Sequence, residues 1–360
     1  MSQEGTVKVF LRNSCRCHLL IFHFRWTLLL EILFRTFEII LQYVMSELKF
    51  HIYPLETGFH GTSRPVPNPD LIAKYHYEDF TPFKNSKENS DEYLATAAKE
   101  IRRDIIRSLV EAKSGHSGGP LGITDVMATL YFGGVMNYDP KSPWMENRDR
   151  FVLSAGHMAP VLYATLANAG FMEKKELLTL RKLNSRLQGH PGRDMGLPGI
   201  ETSTGSLGQG FGISAGMALA DKYVSKNNHR VYAITGDGEL QEGEIWESAM
   251  FAAHWKLDNL CVIVDRNHCQ IDGRNPDIME VDPVADKWKA FGFHTIHING
   301  HSIPEIRAAF EEARNTKEKP TCIVAETYMG HPISFMNDDY RWHGKPPNKE
   351  QAELALAELA

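Results

Sequence analysis

Two short stretches carry the residue types best suited to chemistry. The apolar run Val231-Tyr232-Ala233-Ile234-Thr235 leads straight into Gly236-Asp237-Gly238, and Leu260-Cys261-Val262-Ile263-Val264 ends in Asp265-Arg266-Asn267. Runs of this length and composition read as strands, which puts Asp237 and Asn267 at the carboxyl ends of two strands expected to be neighbours. A carboxylate and an amide oxygen then face one crevice. Both are hard donors, of the kind that hold Mg²⁺ while phosphate oxygens complete an octahedron. The glycines beside Asp237 let backbone approach a diphosphate, with helix-start N–H groups nearby to receive negative charge. The chemistry is that of a metal-diphosphate clamp. Taken separately, GDG is a turn and DRN a strand-end loop; the pairing gives them a joint use.

Competing motifs carry less. Gly212-Ile213-Ser214-Ala215-Gly216 spells a nucleophile elbow, but an elbow needs a strand directly before its serine. Ser214 lies instead in a Gly- and Ala-rich stretch that reads as a helix. Neither GxGxxG nor a Walker A sequence occurs, so a nicotinamide or nucleoside-triphosphate site has no anchor.

Holding Asp237 and Asn267 side by side requires a sheet, and the chain offers the pieces. Short strands are expected near Phe151–Leu153, Val231–Thr235, Leu260–Val264, Phe293–Ile298 and Cys322–Ala325. Helical stretches alternate with them: helices up to Leu183, a small-residue helix from Gly208 to about Asn227, then Ile245–Trp255, Val284–Phe291 and Ile303–Arg314. Such alternation implies an α/β fold, a mostly parallel sheet with helices on both faces, whose ligands bind at the carboxyl ends of the strands. Upstream, Ser90 and Asp91 offer an N-cap; Leu94, Ala98, Ile101, Ile105 and Leu109 follow at helical spacing, and Gly115 can close that helix.

The division expected is an N-terminal extension over residues 1–45, an irregular arm over 46–90, the main domain over 91–350 and a helical tail over 351–360. Residues 19–44 are apolar, yet Arg25, Glu31, Arg35 and Glu38 cut them into pieces too short for a span. Two readings remain for the extension: an amphipathic surface segment, or an over-extended gene start with the working chain beginning at Met45.

With 42% hydrophobic and 23% charged residues among 360, the composition is globular. A net charge of −6 with no basic run excludes nucleic acid as a partner class. The cysteines Cys15, Cys17, Cys261, Cys269 and Cys322 are scattered and odd in number, a pattern that fits the cytoplasm better than a disulfide framework.

The GDG, 28 intervening residues and Asn resemble the thiamine-diphosphate signature shared by transketolases, pyruvate dehydrogenases and decarboxylases. Four further segments resemble transketolases in particular: Ser114-Gly115-His116-Ser117-Gly118-Gly119-Pro120-Leu121-Gly122, with Ser117 where proline is commoner; the RDRFVLSAGHM segment with His157; the LQGHPGR segment with His190 and the STGSLGQG that follows; and the YRWHGKPP segment with His343. The similarity spans about residues 46–350. It implies a thiamine-diphosphate-binding fold in which Asp237, Asn267 and the Cys269 carbonyl hold Mg²⁺, or another divalent cation such as Ca²⁺, with Gly238 on the diphosphate.

By the same resemblance, His116 and His343 would move protons on the substrate oxygen at the reacting carbon. His157 would sit near diphosphate and substrate, and His190 would meet the donor's terminal hydroxyl. Gly205 and Leu207 would pack on the aminopyrimidine, and Glu242 would join an acidic network across a subunit interface. Imidazoles suit such proton transfers because they titrate near neutral pH. His229, His254, His294, His297 and His301 have no such flanks and are expected to be solvated surface residues.

A full-length transketolase is about twice as long, and no candidate is visible here for the glutamate of its pyrimidine-binding domain. The resemblance is therefore to the amino-terminal subunit of a split transketolase. It implies an enzyme of carbohydrate metabolism, in the pentose phosphate pathway or near it, that transfers a two-carbon ketol unit between sugars or sugar phosphates. A carboxy-terminal subunit would be its partner, as an α₂β₂ heterotetramer. The α subunit of a 2-oxo-acid dehydrogenase and a non-catalytic cofactor-binding paralogue are the alternatives.

Overall fold

Alternation within the strands decides how the layers assemble. In the run Val231 to Ile234 every residue is buried, but Tyr232 and Ile234 enter one apolar cluster while Val231 and Ala233 enter another. The same split divides Cys261 and Ile263 from Val262 and Val264. Strand side chains alternate between faces, so a strand buried on both faces needs helices above and below it.

A computed structural model describes residues 64–360 of the chain. The extension over 1–45 and the start of the arm, 46–63, lie outside the described residues. Five strands form one parallel sheet: β1 (Arg150–Leu153), β2 (Val231–Gly236), β3 (Leu260–Arg266), β6 (His294–Asn299) and β7 (Thr321–Glu326), in the order β1-β2-β3-β7-β6. All five expected strands are present. A two-residue hairpin, β4 (Cys269–Gln270) with β5 (Gly273–Arg274), follows β3; it is too short to leave an alternation in the sequence.

One face of the sheet is covered by α1 (Asp91–Ala112), α2 (Thr124–Phe132), α3 (Ala159–Ala169), α7 (Ile303–Asn315) and α8 (Lys349–Glu358). The other carries α4 (Gln209–Leu219), α5 (Gly243–His254) and α6 (Val284–Ala290). Each fully buried Leu, Ile or Phe in these clusters contributes roughly 1.5–3 kcal/mol relative to exposure, so the sheet is a stiff platform for the loops at its edge.

Three features differ from expectation. Helix α1 starts as expected, with the Ser90 hydroxyl accepting from the Tyr93 N–H at 3.2 Å. It ends at Lys113, not Gly115: Lys113 takes a left-handed conformation and its N–H returns to the Leu109 carbonyl at 2.9 Å. The arm is not wholly irregular, since Pro69–Lys74 is a short helix capped by Asn68 and Tyr77 is buried, its hydroxyl donating to Asp104 at 2.8 Å. Helix α2 was not expected; it is buried throughout, so it shows no amphipathic period to read. Ser214 lies inside α4 and donates to the Gly210 carbonyl at 2.7 Å, as a helix-buried serine does.

Candidate functional site

Parallel pairing brings the clamp residues together. Gly236 is in register with Asp265, so the chain leaves β2 and β3 at the same level. The Asp237 N–H donates to the Asp265 carbonyl at 3.1 Å, and one Asp237 oxygen, Oδ2, accepts from the His268 N–H at 2.7 Å. His268 reaches that position through a left-handed turn, φ 62°, a conformation that costs a non-glycine residue on the order of 1–2 kcal/mol. Asn267 donates from Nδ2 to Asp265 Oδ2 at 2.9 Å and accepts the Cys269 N–H on Oδ1 at 3.1 Å. Thr327, just past β7, donates its hydroxyl to the other Asp265 oxygen.

Asp237 and Asp265 are almost completely buried, at 1% and 0% exposure. Burial, with Asp265 adding its charge, pushes the Asp237 carboxyl up to about 7, and burial pushes Asp265 up to about 6. Neither carboxylate forms an ion pair among the described residues; Arg266, between Asp265 and Asn267, turns to Asp282 and Glu326 instead. Two uncompensated carboxylates beside an amide oxygen form a donor set that a divalent cation fits, because it supplies the positive charge and the hard-acceptor chemistry that the site lacks. Sequence reasoning passed over Asp265, whose only signal was its place two residues before Asn267. One detail differs: the Gly238 N–H is used by Asp237 Oδ1 at 2.7 Å, and only a 3₁₀ turn, Gly238–Gln241, follows.

A third buried carboxylate organises the walls. Glu239 accepts from the Ser154 hydroxyl at 2.5 Å, the Gly208 N–H at 2.7 Å and the Gly236 N–H at 3.0 Å. Ser154 Oγ in turn accepts the Phe211 N–H at 3.0 Å. Helix α4 has glycine at its N-cap and no side-chain cap of its own, so Glu239 and Ser154 satisfy its orphan donors from outside. One carboxylate thereby ties the ends of β1 and β2 to the loop carrying Gly205 and Leu207. Burial raises its pKa, and no sequence period marks it.

Three of the four singled-out histidines meet at one point. The rings of His116 and His157 have centroids 5.2 Å apart, His116 and His343 5.6 Å, and His157 stacks on His343 at 5.0 Å. His157 follows β1 by way of Ser154, Ala155 and Gly156, while the loops of His116 and His343 are joined by Ser117. That buried hydroxyl lies 2.7 Å from the Lys345 carbonyl and 3.2 Å from that of Trp342, on either side of His343. His190 borders the group: a Cβ on Gly205 would lie 3.0 Å from its ring, and the 143° φ there favours glycine in any case. Burial lowers all four pKa values, that of His116 to about 4, with the neighbouring rings adding to the effect on His116 and His157. The Nδ1 atoms of His116 and His343 are buried without hydrogen-bond partners among the described residues. Glu242 is exposed beside Gly208.

Two of the histidines expected to be solvated are not. His229 is 8% exposed, with Nδ1 3.7 Å from Asp221. His301, past β6, places Nδ1 3.1 Å from Asp125 and accepts the Tyr328 N–H on Nε2 at 3.0 Å, while its ring stacks on His331 at 3.8 Å. Asp125, His301 and His331 are close enough to suggest a metal. The hydrogen bonds speak against one: both nitrogens of His301 are engaged, and Arg102 holds both oxygens of Asp125 at 2.9 and 2.7 Å. His294 and His297 are paired on the surface with Glu312 and Glu326.

Comparison with known proteins identifies the family. The family model "Transketolase, thiamine diphosphate binding domain" matches residues 94–359. The chain is 42% identical to transketolase of Homo sapiens over 266 residues, 74% of this chain and 42% of that protein. It is 38% identical to one subunit of the apulose-4-phosphate transketolase of Phocaeicola vulgatus over 269 residues, 75% of this chain and 94% of that relative. Among solved structures, transketolase from Leishmania mexicana superposes with a TM-score of 0.69 at 34% identity, over 75% of this chain and 41% of that one. That from Campylobacter jejuni gives 0.67 at 33%, over 74% and 42%. The chain thus spans less than half the length of the full-length relatives it matches. On fold, site geometry and kinship together, the chain belongs to the transketolase family and comprises its thiamine-diphosphate-binding domain.

Proposed function

We propose that this chain is the cofactor-gripping half of a Mg²⁺- and thiamine-diphosphate-dependent transketolase, transferring a two-carbon ketol unit from a ketose or ketose phosphate to an aldose. The observation that carries this reading is the uncompensated Asp237–Asp265 pair beside Asn267 at the carboxyl ends of β2 and β3. Asp237, Asn267 and the Cys269 carbonyl would hold the cation, and Gly238 would lie against the diphosphate. When bound, thiamine diphosphate supplies the carbanion chemistry that breaks and forms the carbon–carbon bond. The chain's own residues position and move protons. His116 and His343, kept neutral by burial, each carry one N–H and one lone pair, so each can take a proton from a substrate hydroxyl or return one. His157 would sit near the diphosphate and substrate, and His190 would meet the donor's terminal hydroxyl.

The rest of the site would come from a carboxy-terminal subunit carrying the pyrimidine domain, in an α₂β₂ assembly. The 94% coverage of a relative that is itself named as one part of a multi-chain transketolase supports this division. Free, buried Cys261, Cys269 and Cys322 are in keeping with a cytoplasmic setting. Intact clamp and histidines favour catalysis over a purely binding role.

Isotope tracing tests the reaction class. With a ketose labelled at C1 and C2, the assembled enzyme should deliver both labelled carbons to an aldose acceptor only when Mg²⁺ and thiamine diphosphate are present. Release of carbon dioxide from a 2-oxo acid, with no transfer between sugars, would overturn the reading.

A further inference from the structure

Ser117 opens the one-turn helix Gly118–Gly122 and is completely buried, at 0% exposure. A serine at a helix start ordinarily turns its hydroxyl back onto the helix's own N–H groups. This one makes no such capping bond. Its hydroxyl turns to another loop, 2.7 Å from the Lys345 carbonyl and 3.2 Å from the Trp342 carbonyl. With a single proton it donates to one carbonyl at a time, and the shorter contact is the better bond.

Those two carbonyls bracket His343, which has few fastenings of its own. Its N–H closes a local turn on the Tyr340 carbonyl at 2.8 Å. Its Nδ1 is buried without a partner among the described residues, so the ring is placed by packing on His116 and His157. Trp342 is anchored separately, through Nε1 on the Phe335 carbonyl at 3.0 Å. Residues 344–347 have only the Ser117 hydroxyl as a hydrogen-bond link to another segment among the described residues. Around that link the backbones are in close contact. A Cβ on Gly118 would lie 3.1 Å from the Trp342 carbonyl, and one on Gly344 would lie 3.7 Å from His116 Nε2.

We propose that Ser117 is a positioning residue, whose buried hydroxyl pins the segment after His343 to the His116 loop and thereby sets the His343 ring against the other two histidines. What the ring then does rests on the ketol-transfer reading; that Ser117 holds it does not. Proline, commoner at this position of the loop, has no hydroxyl to donate, so the link exists here because the chain departs from that pattern. Misplacing a reacting group by about 1 Å costs on the order of a hundredfold in rate. The loss should therefore fall on turnover and leave cofactor binding alone.

A double-mutant cycle in the complex with the pyrimidine-domain subunit tests this. Wild type, Ser117→Ala, His343→Ala and the double variant are compared in ketol transfer, with Ser117→Thr as the variant that keeps the hydroxyl. Ser117→Ala should lower kcat by about ten- to a hundredfold, with KM and thiamine-diphosphate affinity within about twofold. On the His343→Ala background the same change should cost less than about twofold, because the residue it acts through is gone. Ser117→Thr should recover part of the loss. An equal loss on both backgrounds would make the hydroxyl a general support and overturn the proposal, as would no loss on either. Histidine-ring NMR titration of the full chain without its partner separates this from the parent reading. If the wild type transfers no ketol unit, that reading fails, yet the proposal still stands if the His343 ring, held low by burial, titrates closer to its ordinary value near 6.5 in Ser117→Ala. A His343 ring that titrates as in the wild type would overturn it.

Discussion

Asp237 and Asp265, joined by a 3.1 Å hydrogen bond from the N–H of the first to the carbonyl of the second, are two buried carboxylates that no basic side chain among the described residues pairs with; neighbouring Arg266 turns to Asp282 and Glu326. The arrangement is costly without a ligand. A carboxyl whose folded pKa is raised keeps its full stability below its unfolded value, near 4, and loses it as pH rises through the folded value.

For Asp237 that window runs from about 4 up to about 7. The stability of wild type relative to Asp237→Ala should therefore decline as pH rises from 5 to 8, by on the order of 1–3 kcal/mol. Mg²⁺ with thiamine diphosphate should raise the thermal midpoint of the assembled wild type and leave that of the variant unmoved. Denaturation curves at several pH values, with and without ligand, check both. An unchanged ligand response in Asp237→Ala would remove Asp237 from the clamp.

The histidines give the opposite sign. His116 is depressed from near 6.5 to about 4 by burial and by His343, His190 and Arg181, so the unfolded chain binds its proton first. Its contribution is complete above about 6.5 and is lost as pH falls toward 4. His116→Ala should flatten the acid side of the stability profile. It should also lower turnover by roughly 10²–10⁴, the range for an acid–base group, with cofactor affinity close to wild type. Full turnover in this variant, measured by initial rates, would deny His116 a proton-transfer role.

The strands and the meeting of their tips were legible because they leave local marks. A five-residue apolar run ending in GDG fixes both an element and the residue at its tip, and the 28-residue spacing to Asn267 matches one β-α-β unit. What escaped depends on contacts between distant segments. Glu239 and Ser154 are 85 positions apart and Asp265 and Thr327 are 62 apart, so no periodicity joins them. His301 looked like a surface histidine because Asp125, its partner, lies 176 residues away. Helix α2, buried on every side, lacked the polar face by which helices are recognised.

Glu239 yields a prediction of its own. Glu239→Gln keeps the shape but sets an NH₂ group against one of three donors, from Ser154, Gly208 and Gly236. An unsatisfied buried donor costs about 1–3 kcal/mol. On the proposed reading those donors frame the diphosphate end, so affinity for Mg²⁺-thiamine diphosphate should fall about tenfold or more, beyond what the loss of stability accounts for. Calorimetry beside denaturation separates the two. A destabilised variant with wild-type cofactor affinity would leave Glu239 a structural brace only.

The central claim is that this chain holds the diphosphate end of the site and a second polypeptide completes it. Size-exclusion chromatography with a ketol-transfer assay, run on this chain, on its pyrimidine-domain partner and on their mixture, tests it directly. The account predicts no turnover from either alone and, from the mixture, turnover that co-elutes with a complex of both. Robust ketol transfer by this chain alone would contradict it.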